Sequence, residues 1–270
     1  MKDLLTEKGF SEVINFPFTK ANDEDKSIII DNPLDSNRKN LRTHLKDSLI
    51  ENLLYNERRQ KESIKIYEIS DVYHNENKIK QEKRLGIIIS GKVDENYIDY
   101  SNDLDFEYLN KILNGDGEAT PFIIEEISRD SIKTKKKNKI FYTEILIDDI
   151  PERFSENVKS DRREVNFIKF KQVPEFPSSK RDFSFSIIDP KKYYEVLAHI
   201  ENFNNQNLKK HFIFDFYKNE KSGEIKLGVS LVFQSAYKTL SENEIQNTIS
   251  ILLKPITQLE GVSIPGLEFE

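Results

Sequence analysis

Asp182-Phe183-Ser184-Phe185-Ser186-Ile187-Ile188 decides the second half of the fold. Apolar and small polar residues alternate there, and a period of two marks a half-buried strand. Downstream, Lys191–Phe203 reads as a helix with Tyr194, Leu197 and Ile200 on one side. Phe212–Tyr217 and Lys226–Gln234 read as strands around a Lys221-Ser222-Gly223 turn. Ser241-Glu242-Asn243-Glu244 is a capping box, and Leu240 and Ile245 supply its hydrophobic staple. Ile249, Leu252, Leu253 and Ile256 continue that helix, and Val262–Ile264 can close as a last strand. The order of elements is βαββαβ.

That order is the ferredoxin-like split βαβ arrangement. Strand parity then assigns faces. Phe183, Phe185 and Ile187 are expected to face the two helices, with Ser184 and Ser186 on the open side of the sheet. In the next strand Phe212, Phe214 and Phe216 take the helix side, and Asp215 and Tyr217 the open side. In the third, Leu227, Val229, Leu231 and Phe233 point inward, leaving Gly228, Ser230, Val232 and Gln234 open.

Upstream lies a different rhythm. Met1–Lys8 reads as a short helix ended by Gly9, with no N-cap signal. Helices that short are marginal alone. Either packing holds it, or the chain starts partway along a longer helix. Val13–Phe18 and Ser27–Asp31 read as strands, and Leu45, Leu49 and Leu53 stripe a helix from about Lys46 to Lys61. Ile64–Tyr73, Leu85–Ser90 and Phe141–Ile147 are strands, Phe106–Leu113 a helix, and Asn114-Gly115-Asp116-Gly117 a turn. The Lys-rich stretch Thr134–Lys139 suits a solvated loop or hairpin tip, or a phosphate-contacting patch. Ser155–Glu164 is polar without periodicity and suits a linker, and Pro174 and Pro177 punctuate the boundary that follows. No repeat relates the two parts.

Composition narrows the chemistry. The 270 residues include no Cys, which excludes disulfide, thiolate-zinc and iron–sulfur frameworks and a thiol nucleophile. A net charge of −6 argues against a broadly basic nucleic-acid glove while allowing a local RNA site. No apolar run reaches the roughly 18–20 residues of a membrane span, and no signal-peptide core begins the chain. A cytoplasmic setting without membrane attachment is the expectation. His44, His74, His199 and His211 have no metal-ligand spacing and read as packing or surface residues; no metal site is assigned. Phosphate-cradling Gly loops and a Gly-x-Ser-x-Gly elbow are absent. No catalytic residue is assigned, and the composition favours a binding or structural role.

Several stretches together resemble one family, the beta subunit of bacterial phenylalanyl-tRNA synthetase. They are Leu4–Phe16, Asn32-Pro33-Leu34, Leu41-Arg42-Thr43-His44-Leu45, Tyr55–Gln60, Ile66–Tyr73, Phe176–Phe185, Phe214-Asp215-Phe216-Tyr217 and Thr239–Ile245, in family order. The resemblance implies an α+β chain of two domains. Residues 1–169 would be a class II synthetase-like antiparallel-sheet core without catalytic function, and residues 174–270 a ferredoxin-fold anticodon-binding domain. It also implies that the chain is the C-terminal part of a longer subunit. The family's OB-type, editing and magnesium-ligating segments would then precede Met1. Asp130–Lys139 departs from the family's usual turn, and Asn114–Glu118 is abbreviated.

The implied function is a part of phenylalanine–tRNA ligase that packs on the catalytic alpha subunit, in an α2β2 heterotetramer, and binds the anticodon of tRNA(Phe). Arg42-Thr43-His44 echoes the catalytic subunit, yet no Gly-rich ATP-binding run follows it, so the chain alone is expected to be inactive. ATP and Mg2+ would serve the whole enzyme through the alpha subunit and the upstream part of beta, with no cofactor bound by this segment. The Leu45/Leu49/Leu53 helix is a candidate partner surface, or simply fills its own core. Ser184, Asp215, Tyr217 and Ser230 are the candidate anticodon readers: a base would stack on the phenol, and Asp215 would accept from a guanine edge. Lys180, Arg181 and Lys218 are candidate phosphate contacts. The same residues also suit an ordinary solvated sheet face. Rival functions are a stand-alone RNA-binding paralogue and a protein-interaction module.

Overall fold

The computed structural model describes residues 1–20, 28–76, 78–114, 122–132, 134, 136–151 and 174–267. The turn at 115–117, the linker 155–164 and part of the expected strand 27–31 lie outside the described residues, as does Lys135 of the Lys-rich stretch. The chain divides into two compact units. The first holds the described residues of Met1–Lys92 and Asp103–Val165; the second holds those of Val93–Asn102 and Asn166–Glu270. Among the described residues no helix is long and apolar enough to cross a membrane.

In the first unit, β4 (Ser63–Glu76) and β5 (Lys78–Gly91) form a long antiparallel hairpin. β7 (Ile140–Leu146) and then β6 (Glu125–Ile127) add antiparallel on one side, and β1 (Ser11–Glu12) pairs parallel with β4 on the other. β2 (Phe18–Thr19) and β3 (Asn40–Leu41) make a separate two-stranded ribbon. The hairpin outruns the apolar runs Ile64–Tyr73 and Leu85–Ser90 because its outer arms are polar. There Lys80 and Arg84 bond the Glu82 carboxylate and hold it down at about 2.

The helices are α1 (Lys2–Glu7), α2 (Lys46–Arg58) and α3 (Phe106–Asn114). Leu45, Leu49 and Leu53 are fully buried and pack with Ile64, Ile66 and Ile88 of the sheet. The idea that they form a partner surface is therefore wrong: the stripe is the unit's own core. Gly86 is required under this helix, since a Cβ there would lie 2.8 Å from Leu49 Cδ1 and 3.0 Å from Leu45 Cβ. Glu144 accepts the Leu45 N–H at 2.8 Å, a carboxylate placed where a helix start favours negative charge. The Tyr142 hydroxyl donates to the same carboxylate, and burial together with that charge pushes the phenol up. Val13–Phe18 is not one strand. Val13 donates its N–H to the Tyr67 carbonyl of β4 at 2.9 Å, Phe18 begins β2, and Asn15 between them bonds Glu68.

The second unit carries β8 (Ser179–Ile187), α4 (Lys192–Glu201), β9 (Leu208–Lys218), β10 (Ile225–Phe233), α5 (Glu242–Thr257) and β11 (Val262–Ser263). The antiparallel sheet runs β11-β8-β10-β9. One face packs on both helices: Phe185, Ile187, Leu227, Val229, Leu231 and Phe233 meet Val196 and Ile200 of α4 and Ile245, Ile249, Leu252, Leu253 and Ile256 of α5. The capping box forms as expected, with Ser241 and Glu244 bonding each other's backbone N–H. Lys238 and the Ser241 donors hold the Glu244 carboxyl down at about 2. Leu240 packs against the core that holds Ile245.

Candidate nucleic-acid interface

The side of the second unit's sheet away from its helices carries the candidate residues. Residues opposite one another in an antiparallel pair share a face. Ser184, Gly228 and Asp215 therefore form one row, and Ser186, Lys226 and Tyr217 the next. Ser184 and Asp215 are exposed, and Tyr217 is 56% exposed. Gly228 has no side chain between Ser184 and Asp215, and the Phe214 ring lies over it. A Cβ there would lie 2.8 Å from the Phe214 ring and 2.9 Å from Asp215 Cβ. The exposed surface there therefore carries the Ser184 hydroxyl and the Asp215 carboxylate in one row, and the Tyr217 phenol and Lys226 in the next.

The parity expected for β9 is only half right. β9 bulges against β10: Gly228 stands opposite Asp215, but Val229 stands opposite Ile213, so Phe214 is an extra residue. A bulge of this kind shifts every residue before it to the other face. Ile213 therefore packs on the helix-side core, and Phe212, opposite the open-side Ser230, stands on the open side. The Phe214 ring lies against Gly228 on that side too. Phe212 and Phe214 are thus corrected from helix side to open side. Phe216, after the bulge, keeps the helix side: it stands opposite Leu227, with its ring 5.6 Å from that of Tyr193 and edge-on.

Ser230 is on the open side as expected, but it is fully buried and cannot meet solvent as Ser184 and Asp215 do. Its row is Asp182, Ser230, Phe212, and the row beyond is Lys180, Val232, Lys210. Val93–Asn102 lies over this half. The Tyr100 ring sits 5.5 Å from Phe212 and 6.0 Å from Phe214, and Lys180 Nζ donates to Tyr100 Oη at 2.6 Å. Glu95 pairs with Lys210. The open side is therefore split into an exposed half with Ser184, Asp215 and Tyr217 and a covered half with Ser230.

The candidate phosphate contacts divide as well. Lys180 is on the open side, with its ammonium 5.4 Å from the Phe212 ring centre. Arg181 stands opposite the core residue Leu231 and donates to Glu242 of α5 at 2.5 Å, so it is turned toward the helices. Lys218 stands opposite Ile225, also on the helix side, and is exposed. Parity misses Phe212, Phe214 and Lys210 on the open side, whereas Lys226 follows the parity of its strand. The available signal was Gly228, because a glycine inside a strand often marks a bulge.

In the first unit, Arg42 is committed to structure. Its guanidinium donates to Glu68 Oε1 at 2.9 Å and to the Asp71 carbonyl at 3.0 Å, with both charged side chains buried. A cavity of about 530 Å³ nearby is lined by residues that include Phe16, Arg38, Thr43, His44 and Asp47.

Comparison with known proteins gives two family matches. Residues 1–119 match the phenylalanyl tRNA synthetase beta chain CLM domain, and residues 174–264 the ferredoxin-fold anticodon binding domain. The chloroplastic phenylalanine–tRNA ligase beta subunit of Pyropia yezoensis is 27% identical over 296 residues, covering 97% of this chain and 41% of that protein. The beta subunit of Carboxydothermus hydrogenoformans is 26% identical, covering 98% and 38%. That of Buchnera aphidicola subsp. Acyrthosiphon pisum is 25% identical, covering 90% and 34%. The chain thus spans about two fifths of the length of these relatives. Among solved structures, a pyrrolysyl tRNA synthetase from Desulfitobacterium hafniense overlaps 57% of this chain and 66% of its own at 13% identity and a TM-score of 0.37, which by itself assigns no fold. The two domain matches follow one another along the chain, and the relatives that run through both make this chain similar to phenylalanyl-tRNA synthetase beta subunits.

Proposed function

We propose that the chain works within a phenylalanine–tRNA ligase, where it binds the anticodon of tRNA(Phe) and packs on a catalytic alpha subunit. The observation that carries this reading is the exposed half of the ferredoxin-fold sheet. Ser184, Asp215 and Tyr217 stand together there in adjacent rows beside Gly228. A base stacks on the Tyr217 ring, the Asp215 carboxylate accepts from a guanine N1–H and N2–H, and Lys226 meets the backbone phosphate.

On the same reading the first unit is a non-catalytic class II synthetase-like core, and ATP and Mg2+ act on the partner that carries the reaction. With the Leu45/Leu49/Leu53 stripe used internally, the surface for the alpha subunit is sought at Ile14, Phe16 and Leu34, which are exposed large apolar side chains of the first unit. The assembly is an α2β2 heterotetramer in the cytoplasm.

The experiment is co-expression of the chain with a phenylalanine–tRNA ligase alpha subunit, followed by phenylalanylation kinetics. Tyr217→Ala is expected to raise the KM for tRNA(Phe) by about tenfold while kcat moves little, as loss of one stacked base predicts. An unchanged KM contradicts the anticodon reading. Failure of the two chains to co-purify contradicts the subunit reading.

A further inference from the structure

The covered half of the sheet contains a buried hydroxyl, that of Ser230. Ser230 Oγ is fully buried on the open side and meets no hydrogen-bond partner among the described residues. Buried polar groups are normally paired, because an empty one forfeits its bonds to water. The cover here is aromatic: the Tyr100 ring lies on Phe212 and Phe214, tilted by 52° and 54°. Two cations flank it. Lys180 takes the Tyr100 hydroxyl as acceptor, and Lys210 takes the Glu95 carboxylate. Val93–Asn102 thus presents to this half of the sheet a flat ring, a polar atom on the ring's edge, and an anion a few residues away along the chain. A nucleotide of single-stranded RNA presents the same three features.

We propose that Phe212, Phe214, Ser230, Lys180 and Lys210 form a second nucleobase subsite, and that Tyr100 and Glu95 hold it closed as internal stand-ins for a base and its phosphate. The proposal rests on the RNA reading of the exposed half and extends it by one nucleotide. When RNA enters, a base replaces the Tyr100 ring on Phe212 and Phe214, an edge atom of that base reaches the empty Ser230 hydroxyl, and a phosphate replaces Glu95 at Lys210. The subsite adjoins the first directly, because the Phe214 ring and Asp215 both border Gly228. RNA binding and release of Val93–Asn102 are therefore one coupled step. The apparent affinity of the unaltered chain is lowered by the fraction of molecules that are closed.

The test uses the full chain and a labelled anticodon stem-loop of tRNA(Phe). Tyr100→Ala removes the competing ring and is expected to bind about tenfold more tightly than the unaltered chain, as removal of one stacking competitor predicts. Tyr100→Phe keeps the ring but gives up the bond from Lys180, and is expected to fall between the two. Amide exchange in Val93–Asn102 of the unaltered chain is expected to speed up when the stem-loop binds, a readout that does not depend on any variant folding. Equal or weaker binding by Tyr100→Ala, or unchanged exchange in the RNA complex, overturns the subsite and leaves the Tyr217 reading standing. If neither the unaltered chain nor Tyr100→Ala binds the stem-loop, the RNA reading falls and the subsite with it.

Discussion

Arg42→Ala is expected to destabilise the first unit by about 3–5 kcal/mol, the cost of stranding one partner of a buried ion pair. Arg42 is 4% exposed and Glu68 1%. The guanidinium bonds both the Glu68 carboxylate and the Asp71 carbonyl, and Glu68 also accepts from the Asn15 backbone and side-chain amides at 3.2 and 2.8 Å. Asn15 in turn accepts from Asn52 of α2 at 2.8 Å. One carboxylate thus ties the extended segment after β1, the strand β4 and the helix α2 together. With Arg42 gone, Glu68 must either keep an unpaired charge in the interior or take up a proton. Urea unfolding, followed by a probe in the first unit, reads the loss as a lowered midpoint. A double replacement, Arg42→Met with Glu68→Met, is expected to recover part of that loss because neither charge is then stranded. A single variant as stable as the parent would show that the pair is not what holds these elements together.

Gly91→Ala is expected to cost about 2–4 kcal/mol, the sum of backbone strain and a compromised hydrogen bond. Gly91 ends β5 at φ +101°, a region that side-chain-bearing residues rarely adopt. A Cβ there would lie 1.9 Å from the Glu62 carbonyl oxygen, inside any possible contact. That oxygen accepts from the Lys92 N–H at 2.7 Å, and the Gly91 carbonyl accepts from the Leu104 N–H at 2.7 Å. Glu62 immediately precedes β4, and Gly91 pairs with Ser63 at the end of the hairpin ladder. The substitution therefore forces apart the closing rung of the central hairpin. A thermal unfolding curve reads it directly. Wild-type stability in Gly91→Ala would mean that the chain does not make this close approach.

Much of the second unit is legible from alternation alone. Phe183, Phe185, Ile187, Leu227, Val229, Leu231 and Phe233 keep the faces that a period of two assigns, because β8 and most of β10 pair without interruption. The capping box at Ser241 and Glu244 is legible because its partners are three residues apart. β9 is not legible in the same way. One unpaired residue at Phe214 reverses the face of Phe212 and Ile213, and only Gly228, on the neighbouring strand, hints at it. Ser184, Asp215 and Tyr217 stand together as parity expects, since Asp215 and Tyr217 lie after the bulge, where β9 pairs with Gly228 and Lys226 in regular register. Ser230 has the right face and the wrong exposure: it stands beside Phe212, which packs on Tyr100, far away in sequence. In the first unit the Leu45/Leu49/Leu53 period reveals a helix, but a period cannot say whether the stripe meets its own sheet or another chain. Burial decides for its own sheet.

The central claim is that this sheet reads an anticodon. Its most direct test is titration of the unaltered chain with the anticodon stem-loop of tRNA(Phe) and with the same stem-loop carrying a different anticodon, at one fixed salt concentration. The predicted result is saturable binding that weakens by about tenfold or more when the anticodon is exchanged, as loss of one well-formed set of base contacts would do. Equal affinity for the two stem-loops would contradict it.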